Sequence, residues 1–443
     1  MKKVLIPLSF LLYVSLALLS CGGSGSSTGT KTSGVAYRAF ITNSVSSGSG
    51  ASGVFIINAQ TDARAFVSPI SAGNTPGMMV LTPNRAETLV FSGDGTPASD
   101  NQFTIINNAT ESAAGHVTLP GLTESFVVSP DSSTAYVAMP TASVVGQSPG
   151  VVDAIALTGG SVTGQVTIPA VRFLSIDNGG NRILAFSDNL DSVAVITPSN
   201  IGTNNAAATF VTGFDRPVWA FFSSDDKTAY VLNCGAECGG TQASIQTLDL
   251  TAPTLTAGPT IDVPAATVAL VNNSTVYLAG TPVPNPDPQP CTGQTTQATS
   301  CGLLTILDLT SGTYTSTPIT DGYHNHLALG ANGQLFIGAR TCTEIALPNP
   351  TNEVRGCLSI YNTQPNAVGT VPAGGVVIPP ANGDVTGIQS ITKRTVVYVV
   401  QGGAVNIYDT ATDVLEINPN DPNHPGQIYG MVGQFIDVKT PDF

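Results

Sequence analysis

The chain has 443 residues, a formal net charge of −14 and only 10% charged side chains. The acidic balance opposes nucleic acid and anionic lipid headgroups as partners. Gly, Ser, Thr, Ala and Asn abound and apolar spacings of three and four are missing, which argues against amphipathic helices.

Lys2 and Lys3 precede an almost unbroken apolar run, residues 4–19. The run has the length of a secretory leader core with its flank and is short for a membrane span. It ends Leu18-Leu19-Ser20-Cys21-Gly22. A small residue before a cysteine directly after such a run resembles the bacterial lipobox. That resemblance implies cleavage before Cys21 and acylation of its thiol and amine. Several acyl chains anchor durably, since each buried methylene contributes about 0.8 kcal/mol. Gly22 in place of Asp favours the outer membrane by the same analogy. Residues 22–34 read GGSGSSTGTKTSG and carry no apolar side chain. They predict a flexible tether with a coil span of roughly 20 Å. The expected organisation is a leader over 1–20, a lipidated Cys21 with its tether over 21–35, and one β domain over 36–443.

Beyond the tether a pattern returns every 47 residues: a hydrophobic strand, a polar turn and a second strand. The turns fall at Asn84, Asp131, Asn178, Asp225 and Asn272. A period of this size with several strands per repeat predicts a β-propeller of four-stranded blades. First strands are expected at 78–82, 125–129, 173–176, 218–222, 268–271, 327–329 and 387–392. Second strands are expected at 89–91, 135–138, 183–186, 229–232, 276–278, 335–337 and 396–400. Third strands are expected at 103–106, 152–157, 193–196, 245–250, 303–309, 358–361 and 405–408. The ends supply one more blade: 38–42 and 54–58 lack a first strand, and 434–439 is a first strand with nothing after it. The count gives eight blades, closed by the C-terminal strand joining the N-terminal blade; seven is the alternative if that tail packs elsewhere. Closure removes sheet edges that would invite aggregation.

Two stretches carry a family resemblance. Ser223-Ser224-Asp225-Asp226-Lys227-Thr228-Ala229-Tyr230-Val231-Leu232-Asn233 resembles the propeller repeat named for its Tyr-Val-Thr-Asn stretch. Ser129-Pro130-Asp131 through Val137 follows the same template, and Phe40-Ile41-Thr42-Asn43 matches its last letters. The resemblance is thin from residue 266 onward. Propellers of this kind are similar to surface-layer and lactonase-like proteins. The motif builds a blade and carries no chemistry.

Six cysteines besides Cys21 fall in three consecutive blades, between second and third strands. An exported chain permits disulfides. The spacing favours the local pairs Cys234–Cys238, Cys291–Cys301 and Cys342–Cys357. Cys234-Gly-Ala-Glu-Cys238 has nearly zinc-like spacing, but no matching second pair exists. The loops they staple, 281–300 and 341–356, have no strand pattern. Long stapled loops are candidates for recognition, the alternative being protection of a rim.

At the starts of the first strands stand Glu124, Arg172, Asp215, Arg216, His324, His326 and Asp384, a candidate ligand-binding set at the channel mouth. If extended, His324 and His326 point to one side, and a metal would need a third ligand such as Asp321 or His424. The charged residues either hold a polar ligand or pair among themselves. No nucleophile elbow, HExxH or phosphate loop occurs. Trp219 is the single tryptophan, unlike the repeated docking tryptophans of eight-bladed quinoproteins. No cofactor is expected. These observations imply a monomeric, non-enzymatic envelope lipoprotein that presents a face to a protein, glycan or small polar ligand. The alternative is a lactonase-like hydrolase with its site at the channel mouth.

Overall fold

A computed structural model describes residues 32–45, 52–93, 101–202, 208–283, 301–346, 354–416, 426–428 and 431–442. The expected leader, Cys21, Cys291, His424 and most of the 281–300 loop lie outside them. The unit Thr32–Phe443 is a β-propeller of eight four-stranded antiparallel blades. Within blades 2 to 8 the strands lie in chain order from the axis outward. The innermost strands of blades 2 to 8 are Pro76–Leu81, Ser125–Val128, Val171–Ile176, Pro217–Phe222, Val268–Asn272, Tyr323–Leu329 and Val385–Ser390. Most of them neighbour the next around the channel.

Blade 1 is built from both ends of the chain. Phe435–Lys439 pairs antiparallel with Arg38–Asn43, which pairs with Gly53–Asn58 and then Ala63–Arg64. Eight blades and ring closure are therefore as the sequence implies, and the seven-blade alternative fails. The fourth strands, such as Ser112–Thr118 and Ser161–Thr167, escaped the sequence pattern. They sit at the rim with most side chains exposed or half-buried, so no apolar alternation marks them.

The polar turns have a common cause. Ser129 Oγ donates to Asp131 Oδ1 at 2.5 Å, and the Ser133 N–H donates to the same oxygen at 3.0 Å. Ser223 with Asp225, and Thr82 with Asn84, repeat the first bond at 2.8 Å. The side chain stands in for a backbone turn bond. In blade 6 the turn shortens until Asn272 pairs with Thr275, with Asn273 at a φ of 56°. That shortening is why the repeat template fades there.

The core is a ring of interblade clusters. Blades 2 and 3 share Leu89, Phe103, Phe126, Val137 and Ile155, all buried, with Phe103 and Phe126 edge to face at 5.3 Å. Blades 8 and 1 share Tyr398, Val400, Ile407, Phe55 and Phe435. Ion pairs reinforce that last seam. Arg394 bonds both oxygens of Asp62, at 2.5 and 2.9 Å, and also Glu416. The buried Tyr398 hydroxyl donates to Asp62 as well. Arg38 clamps Asp442 through Nε at 2.8 Å and Nη2 at 2.5 Å, and reaches Glu111 at 3.0 Å.

Two of the expected disulfides are present, Cys234–Cys238 and Cys342–Cys357. The first removes its two thiols from any metal site. Cys301 is also disulfide-bonded. The loop before Cys357 corrects one expectation, because Ile345–Ala346 and Val354–Arg355 form a two-stranded ribbon.

Candidate ligand-binding site at the channel mouth

Four of the eight innermost strands share a local irregularity. Their pairing with the second strand slips by one residue between Val171 and Phe173, Pro217 and Trp219, His324 and His326, and Val385 and Gly387. The extra residues are Arg172, Val218, Asn325 and Thr386. A bulge of this kind breaks the two-residue alternation and re-aims the side chains around it. Three of these bulge residues face cavities: Arg172 and Val218 line one, and Val218 and Asn325 line the next.

The first cavity, of about 340 Å³, draws its walls from blades 3, 4, 5 and 7. Phe173, Phe186, Pro217 and Val218 supply apolar surface, and Glu124, Asp188, Arg172, Arg216 and Arg340 supply charge. Arg172 is fully engaged. Its Nε and Nη2 each meet an Asp188 oxygen at 2.6 Å, and Nη1 meets Glu124 at 2.9 Å. The hydrogen bonds Arg172 donates to Asp188 push the guanidinium pKa further up. Arg216 stands 3.7 Å from Asp191, beyond hydrogen-bond reach, and its buried Nε has no acceptor. Arg340 has no ion pair among the described residues, and its Nε is likewise buried without an acceptor.

Tyr323 joins the same wall, and burial, with Glu237 nearby, pushes its hydroxyl up to about 12. Glu237 rides on the short turn Gly235–Cys238 inside the first disulfide. Its Oε2 accepts the Thr281 N–H at 2.7 Å, and the Thr281 hydroxyl donates to Gly322 O at 2.9 Å. The stapled loop of blade 5 is thus tied across blade 6 to the residue before Tyr323. Burial pushes the Glu237 carboxyl up to about 7, against that one stabilising hydrogen bond. A carboxyl titrating near neutrality can hold or release a proton at working pH.

The second cavity, of about 350 Å³, adjoins the first through Phe173, Val218 and Tyr323 and continues along the inner strands past Trp219, His324, Asn325 and His326. The bulge separates the environments of the two histidines. His324 is fully buried, with Nε2 3.0 Å from Thr320 O and its ring against Gly302, where a Cβ would come within 2.6 Å. Burial lowers its pKa to about 4. His326 holds Asn325 Oδ1 at 2.7 Å from its Nδ1, and burial with the charges of Lys439 and Arg340 lowers it to about 3. Asp321 is spent on the N–H and hydroxyl of Thr343. Among the described residues no group of three or more His, Cys, Asp or Glu side chains is placed to hold a metal.

Of the residues singled out in the sequence, Glu124, Arg172 and Arg216 meet in the first cavity, and His324 and His326 line the second. Asp215 and Asp384 line neither. Asp215 accepts the N–H groups of Thr241 and Gln242, and Asp384 accepts that of Thr341. Sequence reasoning missed Asp188, Glu237, Tyr323 and Arg340. One signal pointed to Arg340. The second strands end on Asn43, Ser92, Met139, Ser187, Asn233, Gly280, Arg340 and Gln401, and Arg340 alone is charged.

No family model matches the sequence, and no curated protein matches it. Solved structures match by shape. Hydrazine synthase from Kuenenia stuttgartiensis aligns with a TM-score of 0.54 at 13% identity, over 78% of this chain and 98% of that one. The dihydro-heme d1 dehydrogenase NirN, solved in complex with DHE, gives 0.54 at 11% identity over 91% and 75%. A putative 6-phosphogluconolactonase from Bacteroides uniformis gives 0.47 at 12% identity over 91% and 99%. At such identities the likeness is one of fold, and the site must speak through its own residues.

Proposed function

We propose that the chain is a lipid-anchored envelope protein whose propeller holds a small polar solute at the channel mouth without converting it. The observation that carries this reading is the first cavity. It has apolar walls and a few convergent polar groups, two of which, Arg216 and Arg340, keep a buried Nε–H without an acceptor among the described residues, and that is the usual composition of a small-molecule site. The Arg172 cluster and the stapled turn bearing Glu237 are ordered before any ligand arrives, so binding costs little side-chain entropy. The lipobox-like stretch ending at Cys21 supports the envelope address, and the disulfides agree with an oxidising compartment.

The test is a thermal-shift screen of small polar solutes against the mature chain. At least one solute should raise Tm saturably, and Val218→Phe, which fills the cavity, should remove that shift while unfolding stays cooperative. A shift that survives in Val218→Phe would move the site elsewhere. In cells, Cys21→Ala should release the protein from the membrane fraction.

One observation favours hydrolysis as a second reading. Glu237 titrates near 7 within electrostatic reach of the Tyr323 hydroxyl, which is the tuning a general acid or base needs. Opening of a lactone ring followed by NMR, with Glu237→Gln as the control, separates the two: turnover that needs Glu237 would replace simple binding.

A further inference from the structure

We infer that the channel-mouth cavity selects organic oxyanions, their charged end between the guanidinium groups of Arg216 and Arg340 and their body against Phe173, Phe186 and Val218. The inference rests on the binding reading above and adds the charge of the solute.

Three arginines and two carboxylates line the cavity. Both carboxylates are committed to Arg172, at 2.6 and 2.9 Å. Arg216 has Asp191 at 3.7 Å, beyond hydrogen-bond reach, and Arg340 has no ion pair among the described residues, so neither guanidinium has all its donors met. Each has a buried Nε–H with no acceptor. A buried charged donor left unmet is costly and uncommon in folded proteins. Nothing in the fold demands the charge of Arg340. The matching strand ends in other blades carry Ser92, Ser187, Asn233 and Gln401, which fill that place without it.

A guanidinium edge is a planar fork of donors that matches the two oxygens of a carboxylate or of a phosphate ester. Two such edges on one cavity with an aromatic side suit an anion on a flat or aliphatic body. A third feature agrees. His326, next along the channel, is kept neutral by burial together with Lys439 and Arg340, so it adds no competing cation.

Trp219 is the single tryptophan and lines the adjoining cavity, so its fluorescence reports occupancy. The mature protein would be titrated at constant ionic strength with benzoate, phenyl phosphate, benzamide and benzylamine. One or both anions should give a saturable change, and benzamide should bind roughly tenfold or more weakly, as expected for loss of charge-assisted bonds. The stronger of the two anions assigns carboxylate or phosphate as the preferred oxyanion. Arg340→Met should abolish the preference for anions over benzamide without lowering Tm, and Arg340→Lys should restore part of it. A merely structural arginine would lower Tm and leave the preference intact. Benzamide binding as tightly as benzoate, or benzylamine binding best, overturns the oxyanion inference and leaves the binding reading standing. The same holds if none of the four binds while a neutral solute from the screen does. If no solute binds at all, both fall.

Discussion

The arginines at the ring-closing seam and those at the channel mouth are opposites. Arg394 and Arg38 sit between blades 8, 1 and 2 with their donors met by Asp62, Glu416, Asp442 and Glu111. Arg216 and Arg340 sit where four blades converge, and each keeps a buried donor unmet. The first pair joins the two chain ends and is part of what holds the ring shut. The second pair has no comparable set of partners: Arg216 has Asp191 at 3.7 Å, and Arg340 has no ion pair among the described residues. A charge that stabilises structure is distinguished from one reserved for a ligand by where its hydrogen bonds go, and four perturbations test that distinction.

The largest effect should come from deleting residues 434–443. This removes the innermost strand of blade 1 and the Asp442 partner of Arg38, and exposes the edge of Arg38–Asn43. Cooperative thermal unfolding should disappear and the product should aggregate. A monomeric, cooperatively folding product would show that the ring does not need its closing strand.

Next in size is Arg394→Met. It strands Asp62, whose side chain is 7% exposed, beside the buried Tyr398 hydroxyl. Breaking a largely buried ion pair on one side costs about 3 kcal/mol, read as a lower denaturation midpoint at unchanged m-value. A loss below about 1 kcal/mol would reclassify the seam network as surface decoration.

Glu237 gives an intermediate effect with a defined pH window. Its carboxyl titrates near 7 in the folded protein against an ordinary value of 4.5. Between those values the folded state holds a proton that the unfolded state has lost. Its contribution is therefore complete below about 4.5 and is lost as pH rises to about 7, a decline on the order of 3 kcal/mol. Asp413, raised to about 6 by burial, titrates in the same range, so the measurement is the difference between wild type and Glu237→Gln. The variant should flatten the decline; an identical pH profile would mean that Glu237 is solvated.

The smallest stability effect belongs to Arg340→Met. Because the guanidinium has no ion pair among the described residues and its Nε no acceptor, its removal should shift the unfolding free energy by no more than about 0.5 kcal/mol, or raise it. A loss comparable to that of Arg394→Met would erase the contrast between seam and mouth.

The sequence by itself determined the architecture. The spacing of Asn84, Asp131 and Asp225 reported a turn whose side chain replaces a backbone bond, and that chemistry is local, so it is written in adjacent residues. Pairs such as Cys342–Cys357 were legible for the same reason. The outer strands were not, since their rim-facing residues follow no apolar alternation. At the mouth the sequence marked Glu124, Arg172 and Arg216 by their place before an inner strand. Tertiary structure alone decided that Asp188 neutralises Arg172, that Asp215 and Asp384 serve loops, and that Arg340 has no ion pair among the described residues. It also set the one-residue bulge that separates the surroundings of His324 from those of His326. Whether a charge is spent or free depends on which blade lies across the channel, and that neighbour is brought there by closure of the ring, far away along the chain.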